Sequence, residues 1–205
     1  MGIEIIFEDD AVLVINKPAG VAVQEVNDND IQTIFSSYFI IHRLDQRVSG
    51  LLLLAKTKEV AAMLSEAFST KKVEKTYLAV VKNKPTKFVE DLEHWHEKKG
   101  NKAIIHKTKN SNARLARLNY RLLRSSEKYH LLEIQLETGR FHQIRVQLAH
   151  IGLPIVGDLK YGYPRSSVDG SIFLHAYKLV FEHPITKEIK NLEIEFPAIW
   201  KKFGF

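Results

Sequence analysis

The chain contains no cysteine. That absence excludes a disulfide scaffold, a thiol nucleophile, an iron–sulfur cluster and every zinc site built on thiolates. Glycine (10 residues) and proline (6) are sparse in 205 residues and nowhere gather into a linker, so the expectation is a single domain over 1–205. No apolar run exceeds five residues, as in Leu51–Ala55, against the ~18 that a membrane-spanning helix needs. The motifs GxGxxG, GxxxxGK[ST], GxSxG and HExxH are all missing, which leaves nucleotide-fuelled chemistry, an α/β-hydrolase and a zinc protease unsupported. The start, Met1 to Asp10, is acidic where a secretory leader is basic. A cytoplasmic protein, with no cofactor and no membrane contact, is expected.

What the chain does carry is positive charge. Thirty Lys and Arg against 24 Asp and Glu give 30 − 24 = +6, a balance that suits a polyanionic partner. Hydrophobic residues at 45% and charged residues at 26% are ordinary for a globular core. Short β-branched runs predict strands at 3–8 and 11–15 around an Asp9-Asp10 turn, with Asn16 to Gly20 ending the second. Residues 24–33 read as loop, and 51–56 as a strand buried on both faces. Thr57 caps a helix whose apolar face is Val60, Met63, Leu64, Ala67 and Phe68. Further strands are expected at 75–82, 102–107, 114–123, 129–137, 172–181 and 191–196, and a second helix at 142–151 stopped by Gly152. Strands outnumber helices and no βαβ rhythm appears. The expected class is α+β, a mixed, mainly antiparallel sheet with flanking helices.

Three segments concentrate chemistry. In the first, Asp45 lies between Arg43 and Arg47 and just ahead of Leu51–Leu54. Nearby arginines keep a carboxylate ionised, and an apolar floor strengthens it as nucleophile or charge stabiliser. An Asp that only caps the turn before Ser49-Gly50 reads the same residues as well. In the second, Lys71, Lys72 and Lys75 precede Tyr77. That arrangement suits phosphate contact with base stacking, or equally a helix end followed by an ordinary strand tyrosine. In the third, Thr138-Gly139 is followed by Arg140, His142, Gln143 and Arg145, donors gathered where a strand meets a helix. Arg145 could face inward and take Asp45 as partner, or lie on the helix surface. Glu93-His94-Trp95-His96-Glu97 sets two histidines on one strand face, but Lys98, Lys99 and Lys102 follow and would repel a cation.

Together these segments resemble the RluA-type pseudouridine synthases. The match runs through His42-Arg43-Leu44-Asp45, Ser49-Gly50-Leu51-Leu52 and Lys56, then Lys75-Thr76-Tyr77, then Gly139-Arg140 with His142-Gln143-Ile144-Arg145. Asn16-Lys17-Pro18 with Gly20, Pro154 with Gly157-Asp158 and Tyr161-Gly162, and Leu174-His175-Ala176 extend it over about residues 5–197. The resemblance implies the pseudouridine synthase fold and an isomerase that detaches uracil from ribose at N1, turns it and rejoins it through C5. It implies catalytic roles for Asp45, Tyr77 and Arg145, with Asp45 acting on the sugar, Tyr77 stacking on the flipped base and Arg145 pairing with Asp45. Arg43 and Leu174 would bind substrate. Arg140, His142, Lys71 and Lys72 are further candidates for RNA contact. No metal and no cofactor is implied. The expected partner is structured RNA, ribosomal or transfer, bound by a monomer. Val48 stands where relatives usually have Thr, Gln24 where they have His, and no N-terminal RNA-binding module is expected. A rival reading is a non-catalytic RNA-binding factor on the same fold. Another is a hydrolase using the same Asp.

Overall fold

The computed structural model describes residues 2–24 and 29–205 and divides into two compact units. The first comprises Met1–Lys75 and His175–Glu195. Its strands are β1 (Glu4–Glu8), β2 (Val12–Lys17), β3 (Phe39–Ile40), β4 (Ser49–Ala55), and most of β10 (Leu174–Glu182) with β11 (Ile189–Glu193). Asp9 makes the β1–β2 turn, its Oδ1 accepting from the amides of Ala11 and Val12 at 2.9 Å each. β2 pairs antiparallel with β1 and β4, whereas β10 runs parallel to β4 at His175–Ser49 and Ala176–Gly50, so the sheet is mixed. Gly50 has φ 118°, and a Cβ there would run into the Ala176 backbone, so this pairing requires glycine. Leu51–Leu54 are at most 1% exposed, the doubly buried strand that an unbroken leucine run predicts.

Helix α2 (Lys58–Ser69) covers one face of this sheet, packing Val60 and Leu64 on Val12, Val14, Leu51 and Leu53. Thr57 is its N-cap as predicted, with Oγ1 accepting from Val60 N at 3.3 Å. Met63 departs from prediction. It is 46% exposed, because it falls at the rim of the apolar stripe. Two more departures concern the N-terminal third. β2 continues through Asn16 and Lys17, whose backbones still pair with β4, and Pro18 is what ends it. Residues 24–33, expected as loop, include the one-turn helix α1 (Ile31–Ile34), capped by Asp30 Oδ1 on Thr33 N at 2.8 Å. Positions 25–28 of that expectation lie outside the described residues.

The second unit, Thr76–Leu174 and Phe196–Phe205, is an antiparallel sheet. Its order is β5 (Glu74–Val81), β9 (His130–Leu136), β8 (Arg114–Ser125), β6 (Val89–Lys99) and β7 (Lys102–His106). The period-2 pattern of Ala116, Leu118 and Tyr120 buries one face of β8. Strand β6 contains the Glu93–Glu97 segment read as strand, but its full length is not predicted, because Val89, Leu92 and Trp95 recur every third residue. Helix α3 (Gln143–His150) packs on β6 and β7 and ends at Ile151, with Gly152 at φ 80° as the predicted stop. The C-terminal 3₁₀ turn Ala198–Phe203, also unexpected, sets Phe203 edge-on to Phe173 at 4.7 Å.

Candidate active site

In the first unit, Asp45 stands on the loop entering β4, between exposed Arg43 and half-buried Arg47, while Leu44 and Val48 turn inward. The loop is tied down from both sides. Val48 N donates to Asp45 O at 3.0 Å, and Gly20 N donates to Gln46 O at 2.8 Å. Gln46 Nε2 returns a bond to Gly20 O at 3.0 Å. Beneath them Lys17, fully buried, donates from Nζ to the carbonyls of Pro18 (2.9 Å), Val21 (2.8 Å) and Gln46 (3.4 Å). Three carbonyl acceptors match the three donors of an ammonium. Burial pulls the Lys17 amine down to about 7, and the charge of Asp45 opposes that fall. The Asn16-Lys17-Pro18…Gly20 segment therefore anchors the aspartate loop, a role the sequence reading did not assign it.

His42 looks away from chemistry. Its Nε2 accepts from Leu53 N at 3.0 Å and its ring stacks on Phe68 at 4.7 Å. Desolvation of the ring, then the Lys75 ammonium, push it down to about 3, so it is a neutral strut. Ser49 Oγ lies 2.8 Å from His175 Nδ1, tying β4 to β10, and burial lowers His175 to about 4. Lys71 and Lys72 are exposed just past α2. Lys71 has φ 60° and Lys72 N closes the helix on Ala67 O at 2.9 Å.

The second unit holds the remaining candidates. Tyr77 on β5 is 8% exposed and Leu174 is 3% exposed. Arg140 is exposed, its Nε reaching Leu115 O at 3.4 Å. His142 takes φ 52°, a left-handed conformation costly for a non-glycine residue. It is held by a stack on Phe141 at 3.8 Å and by Tyr161 Oη at 2.8 Å from Nδ1. The same hydroxyl accepts from Ala103 N at 2.8 Å, which ties His142 to β7 through Tyr161. Gln143, 3% exposed, knits the turn. Its Oε1 accepts from Thr138 Oγ1 (2.8 Å) and Arg140 N (3.0 Å), and its Nε2 donates to Arg117 O at 3.0 Å.

Arg145 faces inward at 4% exposure, which removes the helix-surface alternative. Its fork meets Asp158, with Nε to Oδ2 at 2.7 Å and Nη2 to Oδ1 at 2.9 Å, and Tyr161 packs under the guanidinium at 5.0 Å. Gly157-Asp158 carries the sequence signal for this carboxylate, but residue pattern alone does not pair it with Arg145. Gly157 has φ 86°, and a Cβ there would meet Ser171 O at 2.8 Å, so glycine fixes where the aspartate emerges. His96 Nε2 bonds Phe141 O at 2.8 Å, and His94 Nδ1 accepts from Gln147 Nε2 at 3.0 Å.

A family model described as RNA pseudouridylate synthase matches residues 11–150. The chain is 37% identical over 210 residues to "Ribosomal large subunit pseudouridine synthase C" of Rickettsia bellii, covering 97% of this chain and 70% of that one. It is 34% identical to "Uncharacterized RNA pseudouridine synthase YhcT" of Bacillus subtilis, again over 97% of this chain and 70% of the relative. Among solved structures, "Human RNA Pseudouridylate Synthase Domain Containing 4" superposes with a TM-score of 0.79 at 26% identity, covering 96% of this chain and 90% of that one. The chain belongs to the RNA pseudouridylate synthase family, of the RluA type, and is an enzyme that isomerises uridine in RNA.

Proposed function

We propose that the chain converts specific uridines of ribosomal RNA to pseudouridine, with Asp45 as the catalytic carboxylate, Tyr77 against the flipped uracil and Arg145 as the third catalytic residue. The names of the relatives favour large-subunit ribosomal RNA over transfer RNA. The observation that carries the reading is the immobilised aspartate loop, in which Lys17 and Gly20 hold Gln46, directly after Asp45, and Val48 N closes a turn on Asp45 O. A reacting group must be held to a fraction of an ångström, and this loop has the ties to do so. The C1′–N1 bond breaks and a C1′–C5 bond forms. The C5 proton leaves and N1 gains one, so the reaction is balanced with no oxidant, reductant or water. A glycosidase that delivers water generally uses two carboxylates; one aspartate ahead of a leucine strand fits a reaction that keeps water out. Asp45→Asn is expected to abolish pseudouridine formation on a ribosomal RNA fragment, read by tritium release from 5-labelled uridine, while RNA affinity stays within several-fold. Turnover by the purified variant would remove Asp45 from the role, and release of free uracil by the wild type would indicate a hydrolase.

Tyr77 is tested by a pair of substitutions. Tyr77→Ala loses a stacking ring worth ~1–3 kcal/mol, whereas Tyr77→Phe keeps the ring and loses only the hydroxyl. An active Phe variant beside an inactive Ala variant assigns stacking. Activity equal to wild type in the Ala variant excludes both stacking and proton transfer. The enzyme acts in the cytoplasm as a monomer in this reading, which sedimentation at the 23.6 kDa mass of one chain checks.

A further inference from the structure

The second unit has a pocket that the uridine chemistry does not use. β7 pairs with β6 only from Trp95 to Lys99 and stops at His106, which leaves a notch of about 320 Å³ beside the β6 edge. Trp95, His106 and Leu115 are register partners across β6, β7 and β8, so they share one face of the notch. His94 and His150 close it from the other strand face, rings edge to face at 4.9 Å. Exposed Lys107 is at its mouth, and Lys109 reaches over the Trp95 ring at 5.7 Å.

We propose that this notch binds a nucleobase of a single-stranded RNA segment lying outside the modified uridine, with the flanking phosphates on Lys107 and Lys109. The proposal rests on the reading that the chain acts on RNA. Trp95 offers a ring face that any base can stack on, and Lys109, on a flexible stem, yields that face while keeping its charge near a phosphate. Gln147 Nε2 lies 3.0 Å from His94 Nδ1, so the Nε2 edge of the ring is the one turned to hydrogen-bond a base edge. Burial, then His150, lowers His94, so the ring stays neutral. The carboxylates near the notch are already engaged, Glu93 with Arg117 and Glu97 with His106, at 2.6 Å each. A metal ion fits less well. Among the described residues no group of three or more His, Asp and Glu is arranged to hold one, and two lysines flank the opening.

Trp95 and Trp200 are the two tryptophans, and Trp200 is 3% exposed, so quenching by an added oligonucleotide reports on Trp95. Titrating the full chain with single-stranded hexauridylate is expected to quench emission saturably, and the quench should vanish in Trp95→Phe. The midpoint should weaken roughly two- to tenfold in His94→Ala, the size of one lost hydrogen bond. In Lys107→Gln, an exposed change that leaves the fold alone, the midpoint's salt slope should flatten by about 0.7. Asp45→Asn should bind as wild type does. No saturable quench, a quench that survives in Trp95→Phe, or midpoints unmoved by both His94→Ala and Lys107→Gln would overturn the site. Pseudouridine formation measured on the same wild-type sample separates the two readings: activity without a Trp95 quench refutes the notch alone, and a quench without activity refutes the enzyme reading alone.

Discussion

Arg145 and Asp158 take two full charges out of water, at 4% and 0% side-chain exposure. Such a pair is tolerated only when its geometry is complete, and here the planar fork meets both carboxylate oxygens. Breaking it from one side strands the other charge. Arg145→Ala is therefore expected to cost about 3–5 kcal/mol in urea unfolding, and Arg145→Lys less, since an ammonium keeps the charge but not both parallel bonds. An Arg145→Met, Asp158→Leu double variant should recover most of that stability, because apolar replacement of a buried pair is often neutral. The double variant also separates structure from catalysis. With Arg145 a catalytic residue, the refolded protein stays slow in pseudouridine formation; wild-type rates in it would make Arg145 a structural arginine only.

At the scale of elements, the join between β4 and β10 depends on a neutral imidazole. His175 is 1% exposed, and burial lowers it from 6.5 to about 4. Its folded value lies below its unfolded one, so between about 6.5 and 4 the unfolded chain binds a proton that the native chain refuses. Stability from this group is full above the unfolded value and is lost as pH falls through that window, by up to about 3 kcal/mol. The urea midpoint should drop from pH 7.5 to pH 4.5, and in His175→Gln the drop should shrink; an equal drop in both proteins would place the acid sensitivity elsewhere. Elements such as β2, β4 and α2 are legible from sequence because runs of branched or leucine side chains, a threonine cap and turn residues all point the same way. β6 is legible only at Glu93–Glu97, since the rest of its strand state is imposed by pairing with β8 rather than by its own pattern. The site divides likewise. Asp45 and Arg145 stand out by residue type, while the Lys17 anchor and the Asp158 partner depend on which carbonyls and carboxylates folding brings to them.

For the molecule as a whole, the excess of +6 is an argument about RNA affinity rather than fold. Neutralising Z phosphates releases counterions, so log affinity falls with log salt at a slope near −0.7Z on single strands. Lys71 and Lys72 are the sharpest test of where that charge acts. Both are exposed past the end of α2, and the segment runs directly into β5 and Tyr77. The helix closure there uses the backbone amide of Lys72 and the left-handed turn of Lys71, not their ammonium groups. Lys71→Gln with Lys72→Gln should then leave the urea midpoint within about 0.5 kcal/mol, as exposed substitutions usually do. If both side chains touch phosphate, the dissociation constant for a ribosomal RNA fragment rises and its salt slope flattens by about 1.4. A parallel slope, with the same affinity at every salt concentration, would mean that these lysines only solvate the helix end and that RNA contact lies with other cations of the chain.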